Sequence, residues 1–284
     1  ASVTFNHMSK TKILIVGIGG VGGYFGGLLA KEFQKSESVE IYFLSRGENL
    51  TQIKAKGLKV HDQQQTFIAH PHLASHRVED FGSVDYVLLC TKTYHLPETI
   101  AQILPCLHEN SVVIPLQNGV NNRANISQTL SSSLITDGCV YLISRLQSPG
   151  LIVKKGQVGS LFFGLDQTED PRFDALQEIL LQAGIKSELR PDISKVAWEK
   201  FIFLSSIATA TTYFDVNIHE ILGHEEKLNA LKQLIHEVTD LAHAKNIHIG
   251  NDQTKRVLDI LSSLPPDATS SMHTDFQHKK AQTE

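Results

Sequence analysis

The residues of this chain best suited to chemistry begin with a glycine loop. Gly17-Ile-Gly19-Gly20-Val-Gly22 matches G-x-G-x-x-G. It directly follows the apolar run Lys12-Ile-Leu-Ile-Val16 and opens a helical stretch over Val21–Phe33. That context turns a weak motif into a candidate dinucleotide cradle. Gly17 permits the tight turn, Gly19 lets the backbone approach a pyrophosphate, and Gly22 lets helix and strand pack closely. Gly20 lies inside the same loop, and Gly23, Gly26 and Gly27 continue the small-residue face. The helix N-terminus offers N–H groups and the positive end of a dipole to phosphate. The plain alternative is a glycine-rich turn in some other α/β protein.

The next strand, Val39–Leu44, ends in Ser45-Arg46. An acidic residue there would grip a ribose 2′-hydroxyl. Arginine, planar and permanently charged, suits a 2′-phosphate, with Ser45 adding a hydroxyl, so NADP(H) is expected over NAD(H). Further strands end at Lys92 and at Gln117-Asn118-Gly119. Lys92 can neutralise a cofactor phosphate or a substrate carboxylate, or it is a loop lysine. Asn118 can hold the nicotinamide ribose or a substrate oxygen, or it belongs to an ordinary Asn-Gly turn. Ala197-Trp-Glu-Lys200-Phe201 sets a lysine in an apolar helix, either snorkelling to water or partly desolvated and ready for proton transfer. Thr269-Ser-Ser-Met-His-Thr-Asp275 clusters hydroxyls as a helix cap or loop. Fourteen histidines, among them His70, His72, His76, His236 and His243, form no strong ligand pattern, so no metal is expected.

The elements that must position these residues alternate strand and helix as far as Pro171–Ala183. Leu58–Val60 with Thr66–Ala69 forms a small hairpin, and Leu151–Lys155 and Ser160–Gly164 form separate β segments. This alternation predicts a parallel, doubly wound sheet. Beyond Arg190 the pattern is helical only, over Ile193–Tyr213, Glu225–Lys245 and Asp252–Leu264. The boundary is placed near Arg190-Pro191, giving domains 8–190 and 191–284. Residues 1–7 lack periodicity, and His7-Met8 is read as a cloning scar before a native start at Met8.

At 41% hydrophobic and 20% charged, the 284-residue chain has ample material for a core, which excludes wholesale disorder. A net charge of −4 argues against a nucleic-acid or anionic-membrane surface. No apolar run reaches membrane-spanning length. Cys90, Cys106 and Cys139 make neither a disulfide framework nor a zinc ribbon, which fits a reducing cytoplasm. Monomer and homodimer both stay open.

Taken together, these segments resemble the ketopantoate reductase (2-dehydropantoate 2-reductase) family over nearly the whole chain. The marks are the glycine loop, Arg46, Thr91-Lys92, Gln117-Asn118-Gly119, Trp198-Glu-Lys200, Ser270-Ser271-Met272 and Thr283-Glu284. The resemblance implies an N-terminal Rossmann domain and a C-terminal all-helical domain. It also implies NADPH-dependent reduction of a 2-oxo acid, ketopantoate to pantoate on the route to pantothenate. By position, Lys200 would be the general acid, with Lys92 and Asn118 serving cofactor and substrate. Ser271 would bind the substrate carboxylate, and Glu284 a substrate hydroxyl or the lysine. Three departures stand out. Leu204 and Ala208 occupy positions where family members carry asparagines, with Ser205 and Ser206 as candidate substitutes. The Ser271–Glu284 spacing is one residue longer than usual. The family pattern continues through a further helix past the final Thr-Glu. Two other readings remain: a reductase of a different 2-oxo acid, or a non-catalytic NADPH-binding sensor.

Overall fold

Uninterrupted apolar runs become the strands of a sheet covered on both faces. In the computed structural model, which describes residues 10–130, 134–280, 282 and 283, Ile13, Leu14, Ile15 and Val16 are at most 2% exposed. The first elements are β1 (Thr11–Val16), α1 (Gly20–Phe33), β2 (Val39–Leu44), α2 (Gly47–Lys56), β3 (Leu58–His61), β4 (Thr66–Ala69) and β5 (Leu73–Ser75). There follow β6 (Val84–Leu89), α3 (Leu96–Ile103), β7 (Leu107–Pro115), α4 (Asn122–Ser127), β8 (Leu134–Ile135), β9 (Asp137–Ser148), β10 (Leu151–Gly164), α5 (Pro171–Gln182) and β11 (Lys186–Leu189). The chain then continues through α6 (Ile193–Phe214), α7 (Ile218–Gly223), α8 (Glu225–Ala244), α9 (Gln253–Ser262) and α10 (Ser271–Gln277).

Six strands form a parallel sheet in the order β5-β2-β1-β6-β7-β8. Alternate residues enter opposite cores, as a pleated strand requires. Ile13, Ile15, Ile41, Phe43 and Leu88 join one cluster, and Leu14, Val16, Tyr42, Leu44 and Leu89 the other. The strand order reverses at β1, the switch point where open α/β sheets take ligands.

A second sheet, in the order β11-β10-β3-β4 with β9 antiparallel to β10, was not anticipated as a unit. The expected break between Leu151–Lys155 and Ser160–Gly164 is a bulge within one continuous strand, β10. Gly156, at φ +69°, and the non-apolar residues around it imitate a loop in the sequence. Helix α1 lies between the two sheets. A Cβ at Gly26 would meet Ile15 at 3.2 Å, whereas one at Gly23 would lie 2.3 Å from Ile152 and one at Gly27 2.7 Å from Val60. The glycines therefore let a sheet close on each side of the helix, and ten of the fourteen residues of α1 are buried.

The short elements β5, β11, α7 and α10 have no sequence signature, because three to seven residues carry too little periodicity. Helices α6–α9 pack around Trp198, Ile202, Ile207, Leu231, Ile235, Val257 and Leu261. Along α8 the buried residues Leu231, Ile235, Thr239 and Ala242 recur at helical spacing.

The chain forms two compact units. One runs through Gln117 and again over Asn121–Ile193; the other comprises Asn118–Val120 and the chain from Ser194. The sequence placed a single boundary near Arg190-Pro191, whereas packing also assigns three residues after β7 to the helical unit, where Val120 joins the apolar core. Residues 1–9, including His7-Met8, lie outside those described. Among the described residues, no helix is long and apolar enough to cross a membrane.

Candidate functional site

The glycine loop leaves β1 in a turn that only its first residue adopts easily. Gly17 sits at φ +89°, and its N–H donates to the Leu44 carbonyl at 3.2 Å, which ties the loop to β2. A Cβ at Gly22 would lie 2.0 Å from the Gly17 carbonyl oxygen, and one at Gly20 2.2 Å from the Ser144 carbonyl of β9. Gly20 is thus a glycine because β9 passes over it. Gly19 differs: a Cβ there would meet nothing within 4 Å. Chain packing explains Gly17, Gly20 and Gly22, but it leaves Gly19 open to whatever approaches the loop. No side chain among the described residues caps the N-terminus of α1. An open glycine at an uncapped helix start, on the strand where the sheet order reverses, fits a pyrophosphate.

At the end of β2, Ser45 is buried and Arg46 is exposed as the N-cap residue of α2. Sequence reasoning missed the residue that joins this corner to the loop. Asn49, one turn into α2, donates from Nδ2 to the Ile18 carbonyl at 2.9 Å and to Ser45 Oγ at a longer 3.4 Å. Its Oδ1 accepts from the Gly150 N–H at 2.8 Å. The available signal was a polar side chain at helical spacing from Arg46.

Lys92 is exposed and precedes the short 3-10 turn over Thr93–His95. Beside it, the Thr91 and Thr99 hydroxyls lie 3.3 Å apart. Burial pushes the Cys90 thiol above its ordinary range. Gln117 follows β7 and is 6% exposed; neither atom of its amide finds a partner among the described residues. An unmet buried donor or acceptor costs about 1–3 kcal/mol. Such an amide at the carboxyl end of a parallel strand is a second feature consistent with a bound ligand.

In the helical unit, Lys200 and Asn118, 82 residues apart in sequence, come together: Lys200 Nζ donates to Asn118 Oδ1 at 2.9 Å. Lys200 is half-buried. Trp198, a core residue at 5% exposure, meets Phe201 edge-on. Arg256 donates to the Glu199 carbonyl and holds this turn of α6 from α9. Leu204 and Ala208 follow Lys200 at four-residue intervals, on its face of the helix, and both are half-buried. Ser205 spends its hydroxyl on the Phe201 carbonyl at 2.6 Å. The Ser206 hydroxyl is buried without a partner among the described residues.

Ser270 caps α10 by accepting from the His273 N–H at 3.0 Å and lies 2.7 Å from Thr211 Oγ1 on α6. Ser271 opens that helix and is exposed. His273 is buried, with Nδ1 2.6 Å from Thr269 Oγ1 and Nε2 2.8 Å from Asp215 Oδ1. The bond to His273 holds the Asp215 carboxyl below its ordinary value. Glu284, the other expected catalytic residue, lies outside the described residues. Among the described residues, no three His, Cys, Asp or Glu side chains gather as metal ligands would.

Comparison with known proteins finds relatives for both halves of the chain. The ketopantoate reductase PanE/ApbA family matches residues 13–167, and its C-terminal domain matches residues 192–284. An uncharacterized oxidoreductase of Bacillus subtilis is 28% identical over 272 residues, covering 94% of this chain and 86% of that one. The crystal structure of 2-dehydropantoate 2-reductase from Porphyromonas gingivalis superposes with a TM-score of 0.85 at 30% identity, covering 96% of this chain and all of that one. A D-mandelate dehydrogenase solved with NADH and anilino(oxo)acetate shares the fold, with a TM-score of 0.80 at 22% identity, over 96% of this chain and 87% of that one. Both halves of the sequence carry the family's signature, and the chain belongs to the ketopantoate reductase PanE/ApbA family.

Proposed function

We propose that this oxidoreductase reduces a small 2-oxo acid with NADPH, and that ketopantoate is the first substrate to test. The observation that carries this reading is the 2.9 Å bond between Lys200 Nζ and Asn118 Oδ1. It aims an ammonium by means of an amide acceptor, as a proton donor to a developing oxyanion requires.

NADPH, when bound, supplies the hydride. The N–H groups at the start of α1 hold the pyrophosphate across Gly19, with Gly17, Gly20 and Gly22 fixing the loop. Arg46 and Ser45 take the 2′-phosphate, and Lys92 balances further phosphate charge. Lys200 neutralises charge on the former carbonyl oxygen and gives up a proton from Nζ. Asn118 orients that ammonium and binds substrate. The Ser271 hydroxyl orients the carboxylate, and Glu284 completes the set by accepting from a substrate hydroxyl or from Lys200. The proposed division of labour is a dinucleotide domain over residues 8–190 and a helical substrate domain over 191–284.

A different 2-oxo acid is the second reading, favoured by Leu204 and Ala208. They line the Lys200 face of α6 with carbon where amides would bind polar substituents. Purified protein is mixed with NADPH and ketopantoate or other 2-oxo acids, with NADH as control, and oxidation is followed at 340 nm. Fast turnover with ketopantoate and NADPH supports the first reading. Turnover confined to a less polar acid supports the second. NADPH binding without turnover on any acid overturns both in favour of a sensor.

A further inference from the structure

Asn49 is half-buried in the first turn of α2, and its carboxamide is fully engaged. Because the Gly150 N–H donates to Oδ1, the amide orientation is fixed, and Nδ2 donates to the Ile18 carbonyl and, at 3.4 Å, to Ser45 Oγ. One side chain therefore ties together three backbone segments: the glycine loop, the β2–α2 corner and the β9–β10 turn.

The bond to Ser45 has a chemical consequence. A hydroxyl that accepts from an amide directs its own proton elsewhere. The Ser45 N–H is already given to the Ser75 carbonyl at 3.0 Å, and no described residue accepts the hydroxyl proton. Ser45 is thus left as a donor beside Arg46, at the corner where a 2′-phosphate would lie.

We propose that Asn49 is a positioning residue for cofactor selectivity. By donating to Ser45 Oγ while holding the Ile18 carbonyl, it presents the Ser45 hydroxyl as a donor to the 2′-phosphate. This rests on the NADPH reading above. Asn49 touches no cofactor atom itself; it acts through Ser45 and the loop.

The test measures dissociation constants for NADPH and NADH by fluorescence titration in the unsubstituted chain, Asn49→Ala, the near-isosteric Asn49→Leu, Ser45→Ala and the Asn49→Ala/Ser45→Ala double variant. Melting curves identify variants that fold. Asn49→Ala is expected to weaken NADPH about tenfold more than NADH. The double variant should show no greater loss of selectivity than Ser45→Ala alone, because the two residues act as one device. Asn49→Leu keeps the test alive if alanine leaves a hole that unfolds the corner. Equal weakening of both cofactors, or an unchanged ratio, in whichever Asn49 variant folds would overturn the proposal and leave a purely structural tie. Equal affinity of the unsubstituted chain for NADPH and NADH would overturn the NADPH reading, and this inference with it.

Discussion

Around Gly17–Gly22 the site is defined by backbone, whereas around Lys200 it is defined by side chains. In the loop, glycine is required where the chain passes within 2.0–2.2 Å of a would-be Cβ, and only Gly19 is left open. On α6, a long side chain reaches the amide of Asn118, and its neighbours Leu204 and Ala208 leave the surrounding chemistry adjustable. A binding surface made of main chain tolerates almost no variation and serves any dinucleotide. One made of side chains can be respecified residue by residue.

The largest expected effect separates the two regions by readout. Lys200→Ala should cut turnover about 10²–10⁴-fold while leaving the NADPH dissociation constant within about twofold, since the proposed cofactor contacts lie on the loop and not on Lys200. Steady-state rates and fluorescence titration check both halves, and unchanged turnover would remove Lys200 from the chemistry. Next comes a contrast inside the loop. Gly22→Ala should destabilise the fold by about 1–3 kcal/mol and lose the dinucleotide, because the new methyl meets the Gly17 carbonyl. Gly19→Ala should melt like the unsubstituted chain yet bind NADPH poorly. If both variants behave alike in calorimetry, Gly19 is not the open position.

Arg46→Ala should weaken NADPH about 10–100-fold, the worth of a hydrogen bond to a charged group, with little change for NADH. Equal loss for the two would show that Arg46 does not read the 2′-phosphate. The smallest effect belongs to the helical unit. The bond to His273 lowers the folded-state pKa of Asp215. That contribution is therefore fully present above about pH 4, the unfolded value, and is lost as pH falls through the lower folded value. Asp215→Asn should lower the urea midpoint slightly at pH 7 and by less at pH 3. A shift of equal size at both would assign the effect to packing.

The two regions also differed in how much the sequence revealed. The loop, β1, β2 and the ends of β6 and β7 are local features: a glycine pattern next to an apolar run specifies turn, strand and helix within a short stretch. The Lys200–Asn118 pair spans 82 residues. Both members were legible as candidates, Asn118 at a strand end and Lys200 in an apolar helix, but nothing local indicated their contact. Asn49 went unread because a polar residue on a surface helix has no signature until Ile18 and Gly150 are placed beside it. The second sheet stayed hidden because its pairings join β3 to β10 and β10 to β11 across long separations, and because a bulge at Gly156 broke the apparent run of β10.

Asn118–Val120 has a consequence for how such a protein can be inherited. The chain leaves the sheet unit at Gln117, contributes three residues to the helical unit and returns at Asn121 before crossing for good after Ile193. A recombination event that exchanged the C-terminal half at residue 193 would leave behind the acceptor for the Lys200 ammonium and Val120, a piece of the helical core. The halves are therefore not interchangeable modules. A new helical unit grafted onto this sheet would need to bring its own version of that three-residue stitch, so lineages of this architecture are expected to vary by substitution within each unit rather than by trading whole domains.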